Sequence, residues 1–547
     1  MKLIIVGGVA GGASAAARAR RLSEEAQIIL VERGPDVSVA NCGLPYFIGG
    51  TISDREKLLV VNPERLRTRF HLDVRVRSSV EAIDRKAKTV RIRDLAADRV
   101  YEESYDKLIL APGAAPLKPP IPGIDTPGIF TLRNLQDMDR IKAAVDQSVR
   151  QAVVVGAGFI GLELVENLVQ LGIETTVVEL QDQILPPLDK EMTTPLAQIL
   201  AAKGVSLLLG ESAVAFEKTA QGVRVRLKSG KELTAPVVVL GIGVRPENQL
   251  AVAADLEVGP RGGIKVNEQM QTADPDIYAV GDAIEVKDFV LGSPTQVPLA
   301  GPANRQGRIA ADHIFGRPSR FRGTQGTAIL GLFGKTAAMT GASEKVMQRS
   351  QIPFNKVYIH PAHHAGYYPD AEQMTLKLLF APDTGRILGA QGVGGAGVDK
   401  RIDVLAVAIQ AEMTVFDLEE MELAYAPQFG SAKDPINMLG FVAAGLLRGD
   451  HPQMDMSALL SLPPAERPYL LDVRSASEFA AGHIPHAIHI SVDELRSRLA
   501  ELPTDREIVA YCQVGQRGYL ATRILQQKGF QVKNLSGGYK TYQLYTS

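Results

Sequence analysis

The sequence predicts an α/β protein in which strand, glycine-rich turn and helix recur as a unit. Three observations carry that prediction. The pattern occurs at Lys2–Glu32 and again, more cleanly, at Gln151–Glu179. A third strand near the C-terminus, Glu507–Tyr511, runs into Cys512, which opens a loop leading to a helix. Short apolar strands alternating with helices point to parallel sheets with covered faces.

The 547 residues are enough for about three to four domains. Lys+Arg number 60 and Asp+Glu 61, so no global field selects nucleic acid or a membrane surface. There are two cysteines, Cys42 and Cys512. That count argues against a disulfide-stapled secreted chain and for a reducing, cytoplasmic setting. Met1–Val6, with one lysine and a short apolar run, superficially resembles a signal peptide. It passes straight into a glycine-rich turn and an arginine-bearing segment, which fits a first β-strand better. No apolar run approaches the ~18 residues that would span a bilayer.

In the first unit, Lys2–Val6 reads as a buried parallel strand. Gly7-Gly8-Val9-Ala10-Gly11-Gly12 and a helix over Ala13–Leu22 follow, and the strand Gln27–Val31 ends at Glu32, 20 positions after Gly12. This is the spacing of a Rossmann dinucleotide site. Glycines admit a pyrophosphate to the helix N-terminus, and the acid accepts from ribose hydroxyls. The copy is imperfect, because Val9 stands where the second glycine of GxGxxG is expected. The second unit has the strand Gln151–Val155, the full motif Gly156-Ala157-Gly158-Phe159-Ile160-Gly161, a helix over Leu162–Leu171, and the strand Glu174–Val178 ending at Glu179, 18 positions after Gly161. Two such units imply two dinucleotides facing each other. Between them, Tyr105–Gly113 reads as a strand and tight turn, and the proline-rich run from Pro116 to Pro127 as a crossover linker. Asp276–Ala283 reads as a strand entering Gly281-Asp282, where an aspartate can bind a polyol hydroxyl; a Gly-Asp pair alone is a common turn.

Arg18, Arg20 and Arg21 lie on the first helix. They form either a solvated face or a clamp for a phosphorylated substrate near Cys42. Cys42 itself sits in Ser38-Val39-Ala40-Asn41-Cys42-Gly43-Leu44-Pro45-Tyr46, with no second cysteine nearby. An ordinary thiol is only about 3% thiolate at pH 7, so a reactive Cys42 needs its pKa lowered, by a cofactor contact and by the helix start that follows it.

The two glycine-rich units, the Ala111-Pro112-Gly113 turn and Val280-Gly281-Asp282 together resemble the two-dinucleotide flavoprotein disulfide reductases, over roughly residues 1–320. The resemblance implies FAD held by Gly7, Gly8, Val9, Ala10, Gly11, Gly12, Glu32, Arg33, Ala111, Gly113, Gly281 and Asp282. It implies NADH, with NADPH as the other nicotinamide, held by Gly156, Gly158, Phe159, Ile160, Gly161, Glu163, Glu179 and Gly243. The Cys42 segment is similar to the single-cysteine branch, which contains coenzyme A-disulfide reductases, NADH oxidases, NADH peroxidases and persulfide reductases. Cys42 is then the group beside the flavin that accepts its electrons. The oxidases and peroxidases usually carry a histidine in the first glycine-rich turn, and Gly8-Val9-Ala10-Gly11 has none. In the coenzyme A branch the positions of Ser14, Arg18, Arg21, Ser38 and Asn41 contact coenzyme A, with Asn304, Arg308 and Lys433 as further candidates. Residues 324–447 resemble the family's dimerisation domain, with strands at Leu376–Phe380 and Ile387–Val393 and a helix at Lys400–Ala411. The resemblance implies a homodimer with shared active sites, Tyr367 and Tyr425 of one subunit lying near Cys42 of the other. A phenol there can donate to a leaving thiolate. His363 and His364 have no nearby Cys or Asp cluster and are read as non-metal; no metal site is expected.

After the linker Gly449–Gln453, Leu470–Arg474, Ile488–Ser491 and Glu507–Tyr511 read as strands of a small α/β domain. A cysteine at a strand end followed by a loop into a helix, Cys512 to Gly518, resembles a rhodanese domain. Such a loop stabilises a thiolate or persulfide, and Arg517 adds a fixed charge. Its Cys-x₄-Arg spacing is one residue tighter than the Cys-x₅-Arg cradle of the related phosphatases, which favours sulfur chemistry. A non-catalytic module is the other reading.

The expected architecture is therefore an FAD-binding domain (1–112 and 243–322), an NAD(P)H-binding domain (113–242), both Rossmann-like, an α+β dimerisation domain (323–448) and a C-terminal α/β rhodanese domain (455–547). The expected function is NADH-dependent reduction of coenzyme A persulfide, polysulfide or coenzyme A disulfide through Cys42, with Cys512 supplying or transferring sulfane sulfur. Two alternatives stand: an NADH oxidase or peroxidase using a Cys42 sulfenic acid, and a redox or coenzyme A sensor with a sulfur-carrier module. Neither nucleic acid nor a membrane is an expected partner.

Glu179 also bears on nicotinamide choice, since a carboxylate holds a ribose 2′-OH and repels a 2′-phosphate. Charges about 4 Å apart at an effective dielectric of about 20 interact by about 4 kcal/mol, an upper limit for an exposed pair. kcat/KM is expected to be higher for NADH than for NADPH, and a clear NADPH preference would overturn this assignment of Glu179.

Overall fold

The computed structural model describes residues 1–547 apart from Ser148. The chain divides into two compact units, Met1–Asp182 with Lys203–Thr324, and Gln183–Ala202 with Gln325–Ser547. The class is α/β, as expected.

The first unit holds two parallel five-stranded sheets. One runs in the order Ile277–Ala279, Lys107–Leu110, Lys2–Val6, Gln27–Val31, Asp73–Arg75. The other runs Ser206–Leu209, Glu174–Glu179, Gln151–Val155, Val237–Leu240, Ile129–Thr131. Their central strands are buried on both faces, which explains the unbroken apolar runs. The first helix spans Ala10–Leu22, three residues earlier than expected, because the last three residues of the turn, Ala10, Gly11 and Gly12, are already helical. For the same reason the second begins at Phe159 and ends at Gln170. The proline-rich run is bounded by short strands: Ala114–Pro116 pairs with Val244–Pro246, and Ile129–Thr131 becomes a sheet edge.

Helix Ala300–Ile314 packs along helix Ala10–Leu22. At Gly307 an added Cβ would stand 2.1 Å from the Gly11 carbonyl oxygen. Only glycine lets the two backbones meet there.

The second unit holds an antiparallel sheet in the order Ala328–Leu332, Lys335–Gly341, Ile387–Gly394, Met374–Phe380, Asn355–Ile359. Helices Val398–Gln410 and Pro435–Arg448 accompany it. A parallel C-terminal sheet runs Gln453–Met454, Val532–Leu535, Ile508–Tyr511, Tyr469–Asp472, Ile488–His489. The segment Gly449–Gln453, read as a linker, is part of this domain. His451 is buried with its Nε2 2.8 Å from Asn534 Nδ2, the Asn534 N–H donates to the Pro452 carbonyl at 2.9 Å, and Gln453 enters the edge strand. Its turn-rich composition concealed these pairings.

Helix Lys190–Ala202 also departs from expectation. The sequence reading ran the nucleotide domain unbroken across 113–242, whereas residues 183–202 pack in the second unit. The reason is a buried ionic cluster. The Nζ of Lys377, fully buried on strand Met374–Phe380, donates to Asp189 at 2.8 Å and to Glu191 and Glu344 at 2.6 Å each. Lys356 bonds Glu344 at 2.7 Å and Ser457 at 2.9 Å. Tyr358 Oη donates to Glu191 at 2.8 Å and lies 3.0 Å from Tyr545 Oη. The three carboxylates are close enough to share a cation, and the Lys377 ammonium is that cation. Its pKa is raised because three acids outweigh its burial.

Removing one partner of a buried ionic network costs about 3–5 kcal/mol, because the rest stays buried and unpaired. Lys377→Met is expected to lower the thermal unfolding midpoint of the protein by several degrees. An unchanged midpoint would show that the cluster contributes nothing to stability.

Candidate active site

The two nucleotide units share one local geometry. Glu32 accepts from the Gly8 N–H at 2.8 Å and the Gly34 N–H at 2.7 Å. Glu179 accepts from the Ala157 N–H at 2.7 Å and the Gln181 N–H at 2.9 Å. Each acid thus has its position fixed by the turn it faces, and its carboxylate keeps acceptor capacity for a ribose hydroxyl.

The Val9 departure has a structural explanation. Val9 and its counterpart Gly158 both begin their helices with extended backbone, at φ −97° and −78°, so neither position demands glycine for its conformation. A Cβ at Gly158 would meet nothing within 4 Å, so glycine there leaves room for a ligand.

Gly281 (φ +81°) starts the turn that presents Asp282, and its N–H donates to Gln306 at 2.9 Å. Burial raises the Asp282 pKa, against the pull of Arg133. A half-buried carboxylate of this kind fits a chain of hydroxyl donors. Arg33 and Arg133 both pair with Glu247, and Arg133 also reaches the Pro112 carbonyl at 3.2 Å beside Gly113. The glycine turns, both ribose acids and Asp282 therefore fit two dinucleotides.

Cys42 lies in a 3₁₀ turn, Asn41–Gly43, ahead of the short helix Leu44–Ile48. Its loop is tied to the nucleotide turn. Ser38 adopts a left-handed backbone (φ +53°), its N–H donates to the Gly8 carbonyl at 2.8 Å, and its carbonyl accepts from the Val60 N–H at 3.0 Å. The Ala40 N–H donates to the Leu58 carbonyl at 2.8 Å. Cys42 remains exposed, yet the surrounding walls desolvate its sulfur enough to push the thiol pKa up. The Glu163 and Asp282 carboxylates push it further, against one backbone hydrogen bond. The helix start was expected to lower this pKa; a five-residue helix beside two acids does not.

Glu163, expected only as a nicotinamide ligand, stands within electrostatic reach of Cys42. Burial drives its pKa to about 7, with a hydrogen bond from Tyr46 lowering it and Glu166 raising it. Tyr46 is pushed up to about 12 by burial and by Glu163. Sequence reading missed Tyr46 as a site residue, although it lies four positions after Cys42 on the helix that follows.

Among the coenzyme A candidates, Ser14 Oγ donates to Asn304 Oδ1 at 2.8 Å. Arg18 pairs with Asp312 at 2.6 Å, and the exposed Arg308 approaches the same carboxylate at 3.9 Å. The packing of the two helices thus assembles Ser14, Arg18, Asn304 and Arg308 on one face, with Asp312 between the arginines. Arg21 and Asn41 are exposed, and so is Lys433 in the second unit. Arg20 differs: it is buried and donates to the carbonyls of Ser23, Glu24, Phe70 and His71, which makes it a structural tie.

Tyr367 and Tyr425, 58 positions apart, meet at 2.7 Å between their hydroxyls and are both exposed. That bond raises the Tyr367 pKa. Among the described residues His363 and His364 join no metal-ligand cluster; their rings lie 4.0 Å apart.

Cys512 closes strand Ile508–Tyr511 and is buried. Gly515, at φ +98°, turns the loop into helix Gln516–Gln526. The Tyr539 N–H donates to the Cys512 carbonyl at 2.7 Å. Arg517 lies in hydrogen-bonding reach of the Cys512 sulfur. Its guanidinium also grips Glu478 with two bonds, at 2.7 and 2.6 Å. That clamp and the Ser475 backbone and hydroxyl donors pull the Glu478 pKa to about 2, against its partial burial. Arg474, behind the loop, is buried against Asp472 at 2.7 Å and donates to Gln513 Oε1 at 3.1 Å. Neither Glu478 nor Arg474 was expected at this site, although Ser475-x-x-Glu478 is a legible capping box.

Two nucleotide folds facing a lone accessible thiol define a two-dinucleotide thiol oxidoreductase. Residues 1–307 match the pyridine nucleotide-disulphide oxidoreductase model, 331–434 that family's dimerisation domain, and 455–544 the rhodanese-like domain. A coenzyme A disulfide reductase of Staphylococcus haemolyticus is 36% identical over 447 residues, 81% of this chain and 100% of the relative. The reduced Bacillus anthracis CoADR-RHD structure superposes with a TM-score of 0.97 at 49% identity, covering 99% of this chain and 98% of that one. The NAD-dependent persulfide reductase from A. fulgidus gives 0.92 at 38% identity, covering 99% and 100%. The chain belongs to the pyridine nucleotide-disulphide oxidoreductase family, here carrying a C-terminal rhodanese domain.

Because the Glu163 carboxylate raises the Cys42 pKa, Glu163→Gln is expected to shift the pH profile of Cys42 alkylation, in NADH-reduced holoenzyme, to lower pH. An unmoved profile would show that Glu163 does not tune the thiol.

Proposed function

We propose that this protein is an NADH-dependent FAD flavoprotein that reduces coenzyme A persulfide, polysulfide or coenzyme A disulfide through Cys42, with its rhodanese domain supplying or transferring sulfane sulfur at Cys512. The observation that carries the reading is the setting of Cys42. It is an exposed free thiol hydrogen-bonded through its loop to a nucleotide turn, and the chain's one other cysteine is buried. Such a thiol needs a partner from outside the chain.

The Cys42 thiolate attacks coenzyme A disulfide. A new S–S bond joins Cys42 to one coenzyme A, and the other leaves as a thiolate that takes a proton. FAD bound at the first glycine turn would supply the two electrons, drawn as hydride from NADH, that cleave the mixed disulfide to a second coenzyme A thiol and the Cys42 thiolate. With coenzyme A persulfide the products are sulfide and coenzyme A thiol. Arg18, Arg21 and Arg308 are the cations for the coenzyme A phosphates, with Ser14, Ser38, Asn41 and Asn304 as polar contacts; Lys433 is a further candidate, acting with Tyr367 and Tyr425 on the partner subunit's site. For Arg18, binding means sharing its guanidinium between Asp312 and a phosphate. We assign Tyr367 and Tyr425 as proton donors to the leaving thiolate, acting on the partner subunit's site in a homodimer. Their outward-facing hydroxyl pair supports that reading. A cytoplasmic setting fits the thiol chemistry, and among the described residues no helix is long and apolar enough to cross a membrane.

The test is kcat/KM for coenzyme A disulfide and coenzyme A persulfide, side by side, in wild type, Cys42→Ser and Cys512→Ser. Loss of the nucleophile in Cys42→Ser is expected to cost at least ~10³-fold with both substrates. Cys512→Ser is expected to retain disulfide reduction and to lose turnover supported by sulfane donors. Full turnover in Cys42→Ser would sink the reading, and a dispensable Cys512 with every sulfane donor would remove the sulfur-supply role.

A further inference from the structure

The cations around Cys512 are already engaged. Arg517, whose charge interacts with Cys512, is held bidentate by Glu478. Glu478 is fixed in turn by the Ser475 N–H and hydroxyl, both at 3.0 Å, in a capping box. Arg474 is neutralised by Asp472, and its flat face is covered by the Tyr539 ring at 4.3 Å. Lys540, whose backbone N–H bonds the Gln513 carbonyl, commits its ammonium to Gln373 Oε1 at 2.8 Å. Between Cys512 and Arg517 the loop reads Gln513-Val514-Gly515-Gln516, with no charge. The two guanidinium–carboxylate pairs each sum to zero, so neither guanidinium offers an unpaired charge to the Cys512 thiolate, and the Lys540 ammonium is held by the neutral Gln373 amide.

We propose that this balance makes Cys512 an acceptor of sulfur from organic persulfides and that the Glu478–Arg517 clamp selects against the inorganic dianion thiosulfate. The proposal rests on the reading of Cys512 as a sulfur acceptor. The Cys512 thiolate attacks the outer sulfur of R–S–SH. The S–S bond of the donor breaks, an S–S bond to Cys512 forms, and R–S⁻ leaves and is protonated to R–SH. Sulfane sulfur moves from one thiol to another with no net oxidation or reduction. The donor reacts as the neutral R–S–SH, and even its ionised form R–S–S⁻ brings one charge where thiosulfate brings two. With thiosulfate the same bond change releases sulfite, and a dianion must approach an anionic sulfur whose two neighbouring guanidinium groups are both paired with carboxylates. Like charges brought close at the rim of a protein repel strongly unless a free cation offsets them. Backbone N–H groups at the loop can still receive a single developing thiolate. Glu478 is thus a specificity-determining residue, acting through Arg517.

The experiment uses the full-length holoenzyme and follows sulfur transfer from Cys512 to cyanide as thiocyanate. The donors are glutathione persulfide and thiosulfate, and kcat/KM is measured for each in wild type, Glu478→Gln, Gln516→Lys and Cys512→Ser. Wild type is expected to favour the persulfide. Glu478→Gln frees the Arg517 charge and Gln516→Lys adds one at an exposed loop position. Each is expected to move the thiosulfate-to-persulfide ratio toward thiosulfate by about tenfold at low ionic strength, with the shift shrinking in high salt. Gln516→Lys leaves the capping box intact, so a folding defect in Glu478→Gln cannot imitate the result. Equal use of both donors by wild type, or a ratio that neither variant moves, overturns the proposal and leaves the acceptor role standing. Thiocyanate formation that is the same in Cys512→Ser removes the acceptor role, and the proposal with it.

Discussion

The two backbone hydrogen bonds at Gly8 couple the nucleotide site to the thiol. Its N–H is held by Glu32, the acid placed to meet a ribose, and its carbonyl accepts from Ser38 at the head of the Cys42 loop. The glycine turn and the thiol loop are thus joined by a direct backbone hydrogen bond. The left-handed Ser38 is retained at some strain because it delivers that bond. Further along, helix Ala10–Leu22 carries the coupling outward. Its Ser14 and Arg18 meet Asn304 and Asp312 of the neighbouring helix, so the nucleotide turn and this polar face share one support.

The two cysteines sit in opposite electrostatic settings. Cys42 is exposed and faces Glu163 and Asp282, both of which disfavour its thiolate. The chain alone thus disfavours the Cys42 thiolate. Cys512 is buried, with a guanidinium against its sulfur and a carboxylate behind that guanidinium. The first arrangement suits a thiol that is switched on by its cofactor. The second sets a sulfur beside guanidinium groups that are already paired with carboxylates.

Much of the fold was legible because it rests on local rules. Apolar strands, glycine turns and acids at strand ends are periodic or closely spaced signals, and both parallel nucleotide sheets followed from them. Less legible were segments whose long-range contacts run against their composition. Gly449–Gln453 looks like a connector until Asn534, 83 positions from His451, bonds to it. Helix Lys190–Ala202 follows a nucleotide unit in sequence but packs in the second unit, because Asp189 and Glu191 lie against Lys377, 188 and 186 positions away.

At the site, the residue types and their chemistry were set by the chain alone. These were the lone Cys42, the two ribose acids, the Gly281-Asp282 turn and the Cys512 loop ending at Arg517. Each is a short motif whose function needs only neighbouring residues. Tertiary structure decided everything that depends on what those groups face. It put Glu163 and Tyr46 beside Cys42, gave Asp312 to Arg18, paired Tyr367 with Tyr425 and set Glu478 on Arg517. A side chain's charge is written in its identity, but its pKa and its freedom to bind depend on partners up to 294 residues away, and only folding brings those within a few ångströms.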